Sequence, residues 1–487
     1  MQAVSKSSSK HQVRFGTDGW RALIAKEFTY DNLDLVTRAI SSYILNNFKE
    51  DRPIFIGYDA RFLADQFAKF SAEIFNSYGI DVKLIAEPIA TPVIAFAAQA
   101  EPSYGALMFT ASHNPPEYMG IKFIPEYGGP ATVEITNQIL TETDKFAEDK
   151  EAYSEKVSKL AHKASGSISE FDAKTPYVNY IKSVVDFDLL KKKNSEKQVK
   201  VIYDSLHGVG KDFVNKLLEE AGFNVTALHN NVDPTFGGSL PDPSVKRLAE
   251  LKETVISEKA QLGAANDGDA DRFSFLDDQG EFYPANKVLP IIAKYLAEHK
   301  GFKGKIGRTL ATTHLFDELA KKLGTETIET PVGFKWLCAL MREQEMLLVA
   351  EESGGMSIQG HIPEKDGVLA ILLTAEVMAE TGKTLSQLWD EVQDFVGKKY
   401  FYDKLDLHLD GEKKDKFVAT FKNPDLKNIG DFKVLKVDLT EGAKLYFENG
   451  SWLLARPSGT EAMCRVYLEG NSKAELDKLV KAVEAMV

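Results

Sequence analysis

Four short apolar runs in this chain each stop abruptly in a dense polar cluster. Ala106-Leu107-Met108-Phe109 leads into Thr110-Ala111-Ser112-His113-Asn114-Pro115. Ala264-Ala265-Asn266 leads into Asp267-Gly268-Asp269-Ala270-Asp271-Arg272. Met346 to Ala350 leads into Glu351-Glu352-Ser353-Gly354-Gly355, and Trp452 to Ala455 into Arg456-Pro457-Ser458-Gly459-Thr460-Glu461. Runs this short and this apolar read as buried strands. In open α/β sheets, ligands bind outside the carboxyl ends of strands. The pattern therefore points to layered α/β sheets and to one site built from four loops: a nucleophile, a metal, a hydroxyl reader and an anion clamp.

Strand and helix patterns alternate through most of the chain, as α/β layers require. Pro53 to Asp59 reads as a strand, Phe62 to Tyr78 as a helix ended by Gly79, and Asp81 to Ala86 as a second strand. The same plan returns from Lys200 to Leu228 and from Lys305 to Glu329. The polar stretch Glu148 to Lys174 reads as a link between the first two blocks. After Lys398 the pattern changes to alternating strands, Tyr400 to Leu409, Phe432 to Val437 and Ala443 to Phe447, followed by an amphipathic helix, Ser472 to Met486. A chain of 487 residues is too long for one core, so about three or four domains are expected. The expected divisions are 1–165, 166–300, 301–398 and 399–487: three α/β domains and a smaller α+β domain.

The formal charge is −13, with 72 acidic and 59 basic residues, which disfavours general affinity for nucleic acid or anionic membranes. Two cysteines, Cys338 and Cys464, exclude a disulfide framework. The polar first dozen residues lack the apolar segment of a signal peptide. The longest apolar stretch, Val368 to Ala379, is interrupted by Glu376 and reads as a buried helix. A cytoplasmic protein is the expectation.

Each loop offers chemistry and a plainer alternative. Ser112 is a weak nucleophile unless helped; His113 or Lys122 could orient it, but Thr110 and Ser112 could equally cap a turn. Asp267, Asp269 and Asp271 repel one another unless a hard cation such as Mg²⁺ neutralises them. The spacing is wrong for an EF-hand, whose sixth and twelfth positions would fall on Arg272 and Asp278. Glu351 and Ser353 suit the vicinal hydroxyls of a sugar, or a surface turn. Arg456, Ser458, Gly459 and Thr460 combine a guanidinium, hydroxyls and exposed backbone, which suits phosphate. Lys365 becomes a candidate acid/base if burial lowers its pKa.

In this order, the four loops resemble the α-D-phosphohexomutase superfamily, which includes phosphoglucomutases and phosphomannomutases. The resemblance runs from Phe15-Gly16-Thr17-Asp18-Gly19 to the C-terminal helix. It implies three similar α/β domains with mixed sheets flanked by helices, and a C-terminal α+β domain like the TATA-binding protein, around a central cleft. It makes Ser112 a phosphoserine that joins Asp267, Asp269 and Asp271 in holding one Mg²⁺ per subunit. Arg21 and Lys122 would lie near the serine, and Arg272 would help bind the phosphoserine or substrate; His113 remains a candidate from its place beside Ser112. Thr330-Pro331-Val332-Gly333-Phe334-Lys335 resembles the third-domain loop, with Thr330, Gly333 and Lys335 facing substrate. Glu351 and Ser353 would read sugar hydroxyls, while Arg456, Ser458, Gly459 and Thr460 would grip the non-reacting phosphate. The implied reaction passes through a 1,6-bisphosphate that turns end for end, with glucose 1,6-bisphosphate as intermediate and activator.

Two departures bear on substrate. Ala350 stands where many members have glycine, and Gly355 stands where members active on both mannose and glucose phosphates have a histidine. His361-Ile362-Pro363-Glu364-Lys365-Asp366-Gly367 instead resembles the glucose-specific branch, in which the lysine is the favoured acid/base. The expectation is a phosphoglucomutase, monomeric or homodimeric, acting on hexose phosphates. The alternatives are a phosphomannomutase, a dual-specificity mutase, or a catalytically silent sugar-phosphate-binding protein. A phosphoglucosamine mutase would usually carry Gly-Glu-Gln-Ser-Gly-His in the hydroxyl loop.

Overall fold

The computed structural model describes residues 13–16, 19–457 and 462–487. The chain forms two units. One holds the described residues up to Tyr283 together with Gly354–Thr384, and the other holds Pro284–Ser353 with Leu385–Val487.

The first unit contains two mixed sheets. In the six-stranded sheet the order is Trp20–Leu23, Tyr118–Ile124, Ala106–Phe109, Ile54–Tyr58, Val82–Leu84 and Ile168–Glu170. Ile54–Tyr58 runs parallel to both Val82–Leu84 and Ala106–Phe109, and Tyr118–Ile124 returns antiparallel beside Ala106–Phe109. That return places Lys122 opposite Met108, next to the end of the strand that leads to Ser112. Apolar side chains from these strands and from helices Tyr30–Asn47 and Ala64–Ser77 form one core. Within it Trp20 and Phe28 stack with ring centres 4.7 Å apart.

The five-stranded sheet has the order Phe282–Tyr283, Phe273–Leu276, Leu262–Asn266, Lys200–Asp204 and Asn224–Leu228. Leu262–Asn266 is buried throughout and parallel to Lys200–Asp204, so the three aspartates emerge from its carboxyl end. Helix Gly367–Thr381 is buried from Gly367 to Ala379. Its one fully buried acid, Glu376, accepts a hydrogen bond from Asp186 N at 2.7 Å, which satisfies one oxygen of a carboxylate that would otherwise be costly to bury.

The stretch Glu148 to Lys174, expected as a link between the first two blocks, carries structure of its own. It contributes helix Lys150–Ser158, capped by the Asp149 side chain, and edge strand Ile168–Glu170. That strand has no buried side chain; it is held by backbone pairing to Val82–Leu84. Side-chain pattern carries no trace of such a strand.

In the second unit, three parallel strands run in the order Thr327–Thr330, Lys305–Thr309, Met346–Ala350. A six-stranded sheet follows, in the order Phe401–His408, Met463–Gly470, Trp452–Pro457, Ala443–Phe447, Phe432–Asp438, Asn428–Ile429. Strand Trp452–Pro457 shows the two-residue period of a strand. Leu453 and Ala455 pack with helices Gly411–Lys422 and Lys473–Glu484, whereas Trp452 and Leu454 pack with Leu310 and Ala311. Among the described residues, no helix is long and apolar enough to cross a membrane.

Candidate active site

Ser112 is fully buried and sits at φ 51°. A left-handed conformation is uncommon for a residue with a side chain, so the surroundings must impose it. Thr110 and Asp59 do part of this. Ser112 N donates to Thr110 Oγ1 at 2.8 Å, and Thr110 Oγ1 donates to Asp59 Oδ2 at 2.6 Å. Arg61 does more. Its Nη2 donates to Ser112 O and Asn114 O, both at 2.7 Å, and its Nη1 to Pro115 O at 2.7 Å and Tyr118 O at 3.0 Å. Its Nε pairs with Asp59 at 3.1 Å. Burial pushes the Asp59 carboxyl up to about 6, against the pull of Arg61. Asp59 and Arg61 were missed in the sequence. Their signal was present: Ile54 to Tyr58 is a fifth apolar strand ending in a polar cluster, Asp59-Ala60-Arg61.

Within this unit the serine loop meets the aspartate loop. Ser112 Oγ lies 2.8 Å from Asp267 Oδ2 and 3.3 Å from His113 Nδ1. Any side chain at Gly268 would place Cβ 2.8 Å from Ser112 O, so glycine allows the two backbones to close on one another. Arg21 Nη1 donates to Asn114 Oδ1 at 2.9 Å and so borders the serine loop. Thr91 binds the aspartate loop at two points: its Oγ1 donates to Asp269 Oδ2 at 2.7 Å and its N to Asp269 O at 3.0 Å.

The charges are crowded. Asp267, Asp269 and Asp271 are fully buried, and each offers an oxygen within 4.8 Å of the others. Lys122 Nζ bridges Asp269 Oδ2 at 3.0 Å and Asp271 Oδ2 at 2.9 Å, and Lys365 Nζ reaches Asp271 Oδ2 at 2.9 Å. Arg272 Nε stands 3.9 Å from Asp271 Oδ1, and Arg272 N donates to Asp267 Oδ1 at 3.0 Å. Burial pushes the Asp267 carboxyl well above the usual carboxylate range, helped by repulsion from Asp269 and Asp271. Burial opposes the charge on Asp271 too, but the Lys122, Lys365 and Arg272 cations hold that carboxyl well below the usual range. Asp269 Oδ1 and Asp271 Oδ1 have no hydrogen-bond partner among the described residues. Buried oxygens without hydrogen-bond partners, on carboxylates packed this closely, fit a hard cation with oxygen ligands.

The second unit carries the other predicted residues. Glu351 is buried, and its Oε1 accepts from Gly333 N at 3.1 Å, which joins the hydroxyl loop to the loop from Thr330 to Lys335. Thr330 Oγ1 donates to Pro331 O at 3.0 Å. Lys335 Nζ lies over the Trp336 ring, 5.2 Å from its centre. Ser353 is half-buried. Arg456 Nε pairs with Glu441 Oε1, and Glu441 Oε2 accepts from Val332 N at 2.7 Å. Glu441 thereby ties Arg456 to the Thr330–Lys335 loop. Sequence reasoning missed it, because it stands in a hairpin turn with nothing to distinguish it from a surface acid. Ser458, Gly459 and Thr460 lie outside the described residues.

Comparison with known proteins gives a consistent pattern. The phosphoglucomutase/phosphomannomutase alpha/beta/alpha domain I matches residues 12–150, domain II 175–280, domain III 284–395 and the C-terminal domain 419–486. A phosphoglucomutase/phosphomannomutase of Thermococcus kodakarensis is 30% identical over 94% of this chain and 95% of its own. A phosphoglucosamine mutase of Caldicellulosiruptor bescii is 28% identical over 97% and 98%. A Thermus thermophilus crystal structure designated a phosphomannomutase matches with a TM-score of 0.82 and 30% identity, over 97% of this chain and 98% of that one.

Proposed function

Given that the chain belongs to the phosphoglucomutase/phosphomannomutase family, and is therefore a phosphohexomutase, an intramolecular phosphotransferase of the isomerase class, we propose that its substrates are glucose phosphates. The reaction is the interconversion of α-D-glucose 1-phosphate and glucose 6-phosphate. One observation carries the reading. Lys365, in the His361-to-Gly367 segment, reaches the same carboxylate cluster that Ser112 hydrogen bonds. A proton carrier and a phosphoryl carrier then share one centre.

Ser112 carries the phosphoryl group. In the first transfer, the phosphorus–oxygen bond to Ser112 breaks and a bond to a sugar hydroxyl oxygen forms. Lys365 exchanges the proton of that oxygen. The product is glucose 1,6-bisphosphate, which turns and returns its other phosphoryl group to Ser112. Lys122, Arg272, Arg21 and His113 surround the transferring oxygens. Asp267, Asp269 and Asp271 hold Mg²⁺, which when bound neutralises charge on the phosphoryl group. Gly333, Glu351 and Ser353 hold the sugar, with Thr330 and Lys335 beside them. Arg456, with Ser458, Gly459 and Thr460, grips the phosphate that is not reacting.

Glucose and mannose differ only at the C2 hydroxyl. One buried polar group left unpaired by the wrong epimer costs about 1–3 kcal/mol, or about ten- to a hundredfold in kcat/KM. Measuring kcat/KM for glucose 1-phosphate, mannose 1-phosphate and glucosamine 1-phosphate, each with its 1,6-bisphosphate, tests the assignment. Glucose should lead by about tenfold or more. Equal values would make the chain a dual-specificity mutase.

A further inference from the structure

Lys365 has a long, flexible side chain, and fixing its ammonium on Asp271 requires a fixed backbone. Asp366, the next residue, supplies that anchor. Its Oδ1 accepts from Leu369 N at 2.8 Å and caps helix Gly367–Thr381. Its Oδ2 receives two more bonds, from Tyr177 Oη at 2.7 Å and His361 Nε2 at 2.8 Å. Asp366 N donates to Met356 O at 3.0 Å, and Gly367 N to Ala270 O at 3.2 Å, which docks the lysine segment on the aspartate loop. The approach there is close: a Cβ at Gly367 would lie 2.4 Å from Arg272 O.

Tyr177 is fully buried on helix Lys174–Val184. Burial, and then the adjacent Asp366 charge, push its hydroxyl well above the ordinary tyrosine value, so it remains a donor. Tyr180, on the same helix, stacks on His361 with ring centres 5.3 Å apart and planes 10° apart, and its hydroxyl donates to Gly360 O at 2.8 Å. Phe96 packs against both tyrosines, at 5.9 and 5.1 Å, from helix Thr91–Ala100. That helix is the one whose Thr91 binds Asp269. Two helices and the lysine segment are thus keyed to one aspartate loop.

We propose that Tyr177, together with His361, is a positioning residue for Lys365: by holding Asp366 it fixes the backbone that presents the lysine ammonium to the reacting sugar oxygen. This rests on the reading of Lys365 as the proton carrier. Tyr177 acts through Asp366 and keeps its ring in the core, so Tyr177→Phe removes the hydroxyl with little change in packing.

The test is a double-mutant cycle of Tyr177→Phe and Lys365→Met, assayed with glucose 1-phosphate, Mg²⁺ and glucose 1,6-bisphosphate. Misplacement by about 1 Å can reduce a rate about a hundredfold, so Tyr177→Phe should lower kcat by about ten- to a hundredfold with little change in KM. In the Lys365→Met background the same change should have no further effect. His361→Gln, whose amide nitrogen can replace the ring Nε2 donor, should keep most of kcat, whereas His361→Leu should fall with Tyr177→Phe. An equal loss in both lysine backgrounds overturns the inference, since the tyrosine would then act on the fold at large. A slow Lys365→Met beside an unimpaired Tyr177→Phe overturns it while leaving the lysine as proton carrier. A Lys365→Met enzyme with wild-type kcat removes that reading and the inference with it.

Discussion

Each unit buries a cluster of charges, and the two are built on opposite rules. In the second unit, opposite signs alternate. Arg308 Nε and Nη2 pair with the two oxygens of Asp317 at 2.9 and 2.8 Å, and Arg308 also pairs with Glu329. Lys444 Nζ pairs with Glu329 at 2.9 Å and donates to Leu310 O at 2.7 Å, with His314 Nε2 at 3.0 Å. In the first unit, three carboxylates adjoin, and two of their buried oxygens lack hydrogen-bond partners among the described residues. The saturated cluster ties strands Lys305–Thr309 and Thr327–Thr330 to strand Ala443–Phe447. The crowded cluster is the centre proposed above for phosphoryl transfer. Burial of charge alone points to no function; like charges held together, with oxygens that lack hydrogen-bond partners among the described residues, are what make the first cluster the candidate.

The two clusters should therefore answer differently to loss of one carboxylate. The largest effect should be on turnover. Chelation of Mg²⁺ should abolish it and added Mg²⁺ restore it; activity persisting in exhaustively chelated enzyme would break the metal assignment. Asp267→Asn should likewise remove nearly all turnover, read as the initial rate at saturating Mg²⁺. In the saturated cluster, Glu329→Gln should instead lower stability. It leaves Lys444 and Arg308 without a shared carboxylate, a loss of about 1–3 kcal/mol, taken below the fully buried range because Glu329 is partly exposed. Urea unfolding with unchanged slope measures it.

A smaller effect sharpens the contrast. Asp267→Asn keeps groups able to bond Ser112 Oγ and Arg272 N, and it replaces a carboxyl whose charge burial and its neighbours already disfavour. The metal-free variant should be at least as stable as the metal-free parent, while losing the rise in Tm that Mg²⁺ gives the parent. A clear drop in metal-free stability would make the two clusters alike.

The smallest effect concerns pH. Burial, and then Arg308, lower Lys444 from 10.5 to about 8. The folded state therefore releases this proton more readily than the unfolded chain. Its contribution to stability is full above the unfolded value and is lost as pH falls through about 8. Relative to Lys444→Met, wild-type Tm should gain between pH 8 and 10.5. A gap that narrows over that range would reverse the sign.

Much of this was legible in the sequence, for a physical reason. Strands Ala106–Phe109, Leu262–Asn266 and Met346–Ala350 are buried, as is Trp452–Pro457 up to Ala455, and each leads into a loop of the candidate site. Apolar composition and an abrupt polar stop record both facts. The braces were harder to read. Arg61 acts on backbone carbonyls of Ser112, Asn114, Pro115 and Tyr118, Glu441 on a backbone amide, and Tyr177 on a carboxylate 189 residues away. Such pairings depend on where the fold brings distant segments. Strand Ile168–Glu170 escaped for a related reason, being specified by its partner's backbone.

The central claim is that the crowded cluster is a phosphoryl-transfer centre with Ser112 as the carrier. Its most direct test is intact-mass and peptide mass analysis of protein treated with glucose 1,6-bisphosphate and Mg²⁺, alongside Ser112→Ala. One phosphate on the peptide containing Ser112, absent from the variant, is the predicted result. A phosphate retained by Ser112→Ala, or normal turnover by a variant that carries none, would contradict it.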